Sequence, residues 1–275
     1  MTGRPIALVT GASSGVGRAT AVVLAARGYR VFGTSRRPEA EAPAGIAMVP
    51  LDVRDDASVA NCLETVTSPE GRLDLLVNNA GYEQAGALEE VSLDEARAQF
   101  ETNFFGVIRM VKAALPIMRR QRSGRIINVS SLAALAPIPF MGIYSASKFA
   151  LDGWSETLRQ EVKPFGIHVS QVEPGFLRTP MTSHRQAPAA TMGDYDRWRA
   201  RAFAAIAAAE AAGPGGEAVA EVIAAIAASP RPRLRYLVGR QAQLIGRLKR
   251  FLPEAAFEQG TRRTFKLDRD EPGPR

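Results

Sequence analysis

The chain has little cysteine, little histidine and no long hydrophobic run. Its 275 residues include one cysteine, Cys62, and two histidines, His168 and His184. A single cysteine forms no internal disulfide, and neither histidine has a partner at the spacing of zinc ligands, so we expect neither disulfides nor a bound metal. No apolar stretch reaches the roughly 18 residues that span a bilayer, so we expect no transmembrane helix.

The N-terminal residues also lack the features of a secretion signal. Residues 1–4 lead directly into an apolar run, without separate basic, hydrophobic and cleavage regions. Together with the single cysteine, this pattern favours a reducing, cytoplasmic location.

Positive charge is concentrated in the C-terminal part of the chain. Residues 231–275 contain twelve Lys or Arg and five Asp or Glu, a surplus that equals the formal net charge of +7 of the whole chain. No nucleic-acid-binding motif or interleaved aromatic residues accompany this charge. We therefore expect no nucleic-acid partner and favour a solvated cationic surface.

Short apolar segments alternate with segments of helical composition. With 46% hydrophobic and 23% charged residues, the chain suits one globular domain. The predicted strands are residues 6–10, 29–33, 46–51, 73–77, 125–129, 167–172 and 234–238, and the predicted helices are 18–27, 55–66, 93–120, one from about 143, and 218–228. This alternation predicts an α/β fold with a doubly wound, Rossmann-type parallel sheet. We assign residues 1–239 to the catalytic domain and 240–275 to a basic helical extension.

A glycine-rich turn follows the first predicted strand and precedes the first helix. Its residues are Gly11, Ser13, Ser14, Gly15, Val16 and Gly17. The spacing is Gly-x-x-x-Gly-x-Gly, but the physical role matches that of other dinucleotide loops: a tight turn places a helix N-terminus against a pyrophosphate. An ordinary surface turn is the alternative.

The end of the second strand indicates which dinucleotide binds. An acidic residue there would hold the ribose hydroxyl of NAD, whereas arginine suits the 2'-phosphate of NADP. The turn contains Ser35, Arg36 and Arg37. Arg36 and Arg37 therefore favour NADP (NADPH), and exposed arginines without a ligand are the alternative.

Tyr144 and Lys148 lie four residues apart in a predicted helix, which places them on one helical face. A neighbouring ammonium favours the phenolate, so we expect Lys148 to lower the pKa of Tyr144. A phenol tuned in this way exchanges a proton with a carbonyl or alcohol oxygen.

Several motifs occur together and in order. They are the loop at residues 10–17, Asn78-Asn79-Ala80-Gly81, Asn103, Ser131, Tyr144, Lys148, and Pro174-Gly175 followed by Thr179. In these residues the chain resembles the single-domain branch of the short-chain dehydrogenase/reductase family, over about residues 5–238. Segments 149–153 and 173–175 give a weaker resemblance to its hydroxysteroid and retinol dehydrogenase members.

The resemblance implies an enzyme that interconverts a carbonyl and an alcohol by hydride transfer. It implies that the glycine loop lines the cofactor phosphates, that Asp52 and Val53 hold the adenine, and that Asn79, Ala80 and Gly81 flank the adenine ribose. Pro174, Gly175, Leu177 and Thr179 would lie at the nicotinamide. Asp52 has an alternative role as a helix cap, and Asn78 is favoured as a link between strands.

The resemblance also implies a role for each catalytic residue. Tyr144 would be the general acid or base, and Lys148 would assist it and bind the nicotinamide ribose. Ser131, favoured over its neighbour Ser130, would bind and polarise the substrate oxygen. Asn103 would anchor a water that relays protons to Lys148; a polar helix residue without that role is the alternative.

A hydrophobic substrate is expected from the segments 132–143 and 181–213. Their apolar residues are Leu132, Leu135, Ile138, Phe140, Met141, Met181, Met192, Tyr195, Trp198 and Phe203. A pocket of this kind suits a steroid-like, retinoid-like or long-chain carbonyl or alcohol, and helical packing explains the same residues equally well. For Arg185, Arg197, Arg199 and Arg201 a solvated face is favoured over contact with an anionic substrate.

Residues 240–267 predict a basic amphipathic helix, whose apolar residues at helical spacings are Leu244, Ile245, Leu248, Phe251 and Leu252. Packing on its own domain or a partner subunit is favoured, and contact with an anionic membrane stays open. The resemblance implies a homodimer or homotetramer built from helices near 93–120 and 143–164. An NADPH-sensing regulator and an NAD-dependent alcohol dehydrogenase are the alternative functions.

Overall fold

Seven parallel strands form one sheet in the part of the chain that the computed structural model describes, residues 3–37, 45–68, 70–180 and 185–268. The strands are β1 (Ile6–Val9), β2 (Arg30–Ser35), β3 (Ile46–Pro50), β4 (Leu75–Asn78), β5 (Gly124–Val129), β6 (Ile167–Pro174) and β7 (Arg235–Val238). Their order is β3-β2-β1-β4-β5-β6-β7, so β1 pairs with both β2 and β4. The predicted doubly wound parallel sheet is confirmed.

Helices cover both faces of this sheet. They are α1 (Gly15–Ala26), α2 (Asp56–Thr67), α3 (Leu93–Phe100), α4 (Gly106–Gln121), α5 (Gly142–Val162), α6 (Gly193–Ala211), α7 (Gly216–Ala228), α8 (Arg240–Phe251) and α9 (Glu254–Thr264). A π-helical turn, Glu101–Phe105, joins α3 to α4, so the long helix predicted at 93–120 contains a wide turn.

The core is divided into two layers by the alternation of side chains along the strands. In β1, Ile6 and Leu8 pack on the side of α2, α4 and α5, whereas Ala7 and Val9 pack on the side of α1 and α7. All four β1 residues are fully buried. This explains the unbroken apolar composition of β1, because a parallel sheet that is covered on both faces has no solvent-exposed face.

The C-terminal extension is two helices where the sequence predicted one. Pro253 lies between α8 and α9. It explains the break, because proline has no main-chain N–H with which to continue a helix. Ala242 is fully buried, and a Cβ on Gly175 would lie 3.3 Å from its nitrogen, so α8 packs on its own domain. Phe251 is 77% exposed at the end of α8. Residues 270–275, for which the sequence predicts disorder, lie outside the described residues.

No single helix in the described ranges is long and apolar enough to cross a membrane. The pair Gly193–Ala211 and Gly216–Ala228 meets the length and composition of a span only when taken together, with a bend of 64° between the two helices.

Candidate active site

A cavity of about 660 Å³ lies along the carboxyl ends of the strands. It is lined by nineteen of the predicted cofactor and catalytic residues: Gly11, Ser13, Ser14, Gly15, Val16, Arg36, Asp52, Val53, Asn79, Ala80, Gly81, Asn103, Ser131, Tyr144, Lys148, Pro174, Gly175, Leu177 and Thr179. The sheet order reverses beside β1, and open α/β sheets bind ligands at such a reversal. Topology and the predicted residues therefore indicate the same site.

The glycines of the loop between β1 and α1 have two different roles. Gly11 and Gly15 have φ values of 65° and 53°, a left-handed conformation that glycine adopts without steric cost. Gly17 is buried, and a Cβ there would lie 2.1 Å from the main-chain oxygen of Gly11. Gly17 does not line the cavity and lets α1 pack closely against the loop, and its place at the phosphates stays a prediction.

The first turn of α1 leaves its main-chain N–H groups available to a ligand. Ser14 is the N-cap, but its side chain makes no capping hydrogen bond, and no acidic residue lies in the first turn. Such a terminus has about four N–H groups without partners in the helix, at the positive end of the helix dipole. The glycine loop and this helix end together fit the pyrophosphate of a dinucleotide.

Asn79 fixes the loop against the end of β4. Its Nδ2 donates to the carbonyl oxygens of Thr10 and Gly11, at 3.0 and 3.1 Å. Thr10 Oγ1 accepts hydrogen bonds from the N–H groups of Asn79 and Ala80, both at 2.9 Å. Asn78, as favoured from the sequence, links strands: its Nδ2 donates to Asn128 Oδ1 at 2.8 Å.

The predicted adenine end contains an ion pair that the sequence analysis missed. Arg54 donates from Nε and Nη2 to the two carboxylate oxygens of Asp52, at 2.9 and 2.6 Å. The hydrogen bonds from Arg54 lower the pKa of Asp52 to about 2. Asp52 is not a helix cap, because Asp55 accepts the capping hydrogen bonds of α2.

Only one of the two predicted phosphate-selecting arginines reaches the cavity. Arg36 lines it beside Thr34 and Ser35. Arg37 is exposed and does not line it, so the structure does not place Arg37 at the cofactor site. Arg36 and Arg37 differ in this way because they are successive residues after the end of β2, and the side chains of successive residues point in different directions.

Tyr144 and Lys148 lie in the first turns of α5 and are both buried. Lys148 Nζ is 5.8 Å from the centroid of the Tyr144 ring. Ser131, just after β5, is within hydrogen-bonding reach of the phenol, and this hydrogen bond acts to lower the pKa of Tyr144. Ser130 also lines the cavity, and its Oγ has no hydrogen-bond partner among the described residues.

The prediction that the pKa of Tyr144 is lowered is wrong for this structure. Burial raises the pKa of Tyr144 well above its ordinary value, and the nearby Glu83 carboxylate raises it further. Burial also lowers the pKa of Lys148 to about 8, because a desolvated ammonium is costly. The phenol is therefore neutral near pH 7, which is the form of a proton donor.

Asn103 lies in the π-helical turn, a geometry that is frequent at functional sites. Its Oδ1 accepts from the N–H of Tyr82 at 3.1 Å, and its Nδ2 donates to the carbonyl of Tyr82 at 3.0 Å. The side chain is thus engaged in holding the segment after β4. Its role as the anchor of a proton-relaying water stays a prediction.

The predicted substrate wall is only partly formed as expected. Leu132, Ile138 and Met141 line the cavity. Ile206 also lines it and lies in the predicted segment 181–213 without having been named, whereas Phe176 lies outside the predicted segments. The other predicted residues in the described ranges do not line it: Leu135, Phe140, Met192, Tyr195, Trp198 and Phe203. Phe140, for example, packs on Tyr195 and Phe203 at centroid distances of 6.4 and 6.3 Å. Met181 lies outside the described residues.

Two of the arginines assigned to a solvated face are instead largely buried in ion pairs. Arg185 Nη2 is 2.8 Å from Glu83 Oε2 and 2.6 Å from Glu210 Oε1, and all three residues line the cavity. Arg199 pairs with Glu90 and Asp196. No local pattern predicts the Glu83–Arg185–Glu210 cluster, since Arg185 is 102 positions from Glu83 and 25 from Glu210.

Across the described ranges, no group of three or more His, Cys, Asp or Glu side chains is placed to hold a metal ion. Cys62 is buried, and burial raises the pKa of its thiol to about 12, so it is an inert core residue. His184 lies outside the described residues.

Residues 5–190 match the family described as short chain dehydrogenase. The chain therefore belongs to the short-chain dehydrogenase/reductase family. It is an oxidoreductase of a family that acts on CH–OH groups with NAD or NADP.

Relatives with assigned activities are similar over much of the chain. A 3-ketodihydrosphingosine reductase of Bacteroides thetaiotaomicron is 41% identical over 94% of this chain and 96% of its own. The human 17-beta-hydroxysteroid dehydrogenase type 1 is 35% identical over 91% of this chain and 79% of its own. Human retinol dehydrogenase 8 is 44% identical over 61% of this chain and 57% of its own. The resemblance to hydroxysteroid and retinol dehydrogenases is confirmed.

Solved structures share the fold. A short-chain dehydrogenase from Streptomyces avermitilis superposes with a TM-score of 0.83 and 32% identity, covering 98% of this chain and 100% of its own. A short chain dehydrogenase from Burkholderia cenocepacia in complex with NADP has a TM-score of 0.72 and 27% identity, covering 96% and 98%.

Proposed function

We propose that the protein is an NADP-dependent oxidoreductase that reduces the carbonyl group of a hydrophobic substrate to a secondary alcohol. The observation that carries this proposal is the continuity of one cavity. At one end are the glycine loop and the open N-terminus of α1, and at the other are Ser131, Tyr144 and Lys148.

The buried residues account for the proton that the reaction needs. A bound nicotinamide supplies the hydride. Tyr144 holds its proton because its pKa is raised, and it donates that proton to the carbonyl oxygen. Ser131 donates a hydrogen bond to the same oxygen and so stabilises its developing negative charge. Lys148 places a positive charge 5.8 Å from the centroid of the Tyr144 ring.

Arg36 supports the choice of NADP over NAD. Thr34, Ser35 and Arg36 line the cavity where β2 ends, and none of them is acidic. A guanidinium forms charge-assisted hydrogen bonds with a phosphate, whereas the ribose hydroxyl of NAD is best bound by a carboxylate.

The cavity and the relatives both support a lipophilic substrate. Leu132, Ile138, Met141, Phe176 and Ile206 give the catalytic end an apolar wall. The relatives named above act on sphingoid, steroid or retinol substrates according to their names. A lipophilic carbonyl compound or alcohol suits this wall and is common to these names, and a ketone is the form that we propose here.

The direct test is consumption of NADPH with a panel of lipophilic ketones, comparing the wild type with Tyr144→Phe. Removing the phenol proton should reduce kcat by about 10²–10⁴-fold, the range for general acid catalysis, while NADPH still binds. Full activity of Tyr144→Phe would contradict the proposed chemistry. Tight NADPH binding without turnover of any ketone would favour a cofactor-sensing regulator instead.

We also propose that the protein is a homo-oligomer. Phe105, next to α4, and Phe149 on α5 are 45% and 42% exposed, on the helices where the sequence predicts subunit contacts. Light scattering coupled to size exclusion tests this, and a monomer at micromolar concentration would contradict it. The cytoplasmic location stays a prediction.

A further inference from the structure

The cluster of Glu83, Arg185 and Glu210 is the largest group of charges at the catalytic end of the cavity. Arg185 donates to Glu83 Oε2 from Nε at 2.9 Å and to Glu210 Oε1 from Nη2 at 2.6 Å. The side chains are only 11–13% exposed. A buried set of this kind is costly unless its charges and hydrogen-bonding groups are matched.

The charges within this cluster do not balance. Two carboxylates share one guanidinium, which leaves one negative charge when all three are ionised. Burial raises the pKa of Glu83, and the nearby charges of Arg185 and Lys148 oppose that rise. Glu210 is 9% exposed, and its Oε2 is buried without a hydrogen-bond partner in the part of the chain that is described. Buried carboxylate oxygens nearly always have a donor, so this oxygen has room for one further hydrogen bond, from a water or from a ligand group.

The cluster is close to the reacting centre. Its three residues line the same cavity as Tyr144, and all three charges change the pKa of the phenol. Arg185 also lies over the ring of Phe203, 5.9 Å from its centroid, and Phe203 packs against the cluster of apolar residues that contains Tyr144 and Ile206. A group bound by these carboxylates therefore lies at the catalytic end of the cavity.

We propose that Glu83 and Glu210 form a subsite for a cationic amino group next to the ketone of the substrate. This inference rests on the proposed function and narrows it to lipophilic amino ketones. Of the three substrate classes named by the relatives, steroids and retinol carry no cation, whereas a sphingoid ketone carries an amino group beside its carbonyl. Arg185 forms an ion pair with each of the two carboxylates and so offsets their mutual repulsion.

A purely structural cluster is the alternative. Main-chain hydrogen bonds connect the segment that contains Arg185 to the segment after β4. Ala85 N donates to Gln186 O, and Gln186 N donates to Glu83 O, both at 2.8 Å. If the cluster only held these segments together, a variant would impair all ketones alike. The two interpretations therefore differ in substrate selectivity.

The test compares two ketones that differ only in the amino group. A long-chain 2-amino-1-hydroxy-3-ketone and the same molecule without the amino group are reduced with NADPH by the wild type, Glu210→Gln, Glu83→Gln and the control Glu89→Gln. Glu89 is exposed and accepts a hydrogen bond from Tyr195 outside the cavity lining. Each variant is nearly isosteric, and its melting temperature is recorded beside its kinetics.

We expect the wild type to prefer the amino ketone, and Glu210→Gln to lose at least about tenfold more kcat/KM on it than on the analogue, mainly through KM. Glu89→Gln should keep the wild-type preference. Equal reduction of both ketones by the wild type, or equal losses on both in Glu210→Gln and Glu83→Gln, would overturn the subsite.

A binding measurement separates this inference from the proposed function. Calorimetric titration with a long-chain 2-amino-1-alcohol and the matching 1-alcohol requires no turnover. Preferential binding of the amine that is lost in Glu210→Gln, without reduction of any ketone, would support the subsite and overturn the proposed reaction. Reduction of plain ketones without preferential binding of the amine would support the proposed reaction and overturn the subsite.

Discussion

Lys148 donates a hydrogen bond from Nζ to the main-chain carbonyl oxygen of Val129, 2.9 Å away. Val129 is the last residue of β5, and Lys148 lies in α5, so this bond ties the catalytic helix to the end of a central strand. It fixes the ammonium beside the Tyr144 ring, where it acts on the active site only while it remains charged. That condition makes the reaction sensitive to pH.

We expect kcat/KM for NADPH, which reports groups of the free enzyme, to fall as the pH rises through about 8. The pKa of Lys148 is lowered to about 8, so the ammonium is present below this pH and is lost above it. The pKa of Tyr144 is raised, so the phenol keeps its proton over the same range. Ser131→Ala should be slower with the same midpoint. A rate that is constant or increases up to about pH 10 would contradict this assignment.

Arg36→Ala should weaken NADPH binding by about tenfold or more, because it removes a charge-assisted hydrogen bond to the phosphate. NADH binding should change little. Arg37→Ala is the matched control, since Arg37 is the adjacent arginine but does not line the cavity. Titration by intrinsic fluorescence measures the affinities of the wild type and of both variants for NADPH and for NADH. Equal effects of the two substitutions would show that neither arginine selects the phosphate by direct contact.

Ser131→Ala should reduce kcat for carbonyl reduction by about 10²–10³-fold, as for removal of an oxyanion donor, and leave NADPH binding intact. Ser130→Ala is the control at the neighbouring position, and it should have a much smaller effect. The Ser131 hydroxyl is close enough to the phenol of Tyr144 to act on its pKa. A larger loss in Ser130→Ala would reassign the substrate-binding hydroxyl.

Glu173→Gln should stabilise the cofactor-free protein at alkaline pH. Glu173 is fully buried, and its Oε1 lies 3.3 Å from Arg235 Nε without the geometry of a hydrogen bond. Its pKa is raised from 4.5 to about 8, chiefly by burial. The folded protein therefore holds a proton that the unfolded chain releases, and the stability from this group is complete below 4.5 and lost as the pH rises through 8.

The variant removes this loss, so its melting temperature should exceed that of the wild type by at least about 3 °C near pH 9, which corresponds to roughly 1 kcal/mol for a domain of this size. The difference should be smaller near pH 5. Glu161→Gln, at an exposed position of α5, serves as the control. The same difference at both pH values would contradict a buried titrating carboxyl.

Much of the fold was predictable because it depends on local patterns. The strands could be predicted from their apolar runs, because both faces of the sheet are buried. The glycine loop could be predicted because its backbone requires positive φ at Gly11 and Gly15. The C-terminal helix was predicted without its break, although Pro253 is a visible signal for one. The role of Asp52 as a cap was an open alternative, and it was decided by the position of Asp55.

The sequence by itself determined the family, the sheet and the residues that gather at its carboxyl end, because each depends on residue types at short, fixed spacings. Tertiary structure alone decided the electrostatics of the site. The pKa of Tyr144 depends on burial and on Glu83 more than on the adjacent turn of its helix, and the Glu83–Arg185–Glu210 cluster joins three distant segments. Coulomb energies and desolvation follow distances in space, which spacing along the chain does not encode.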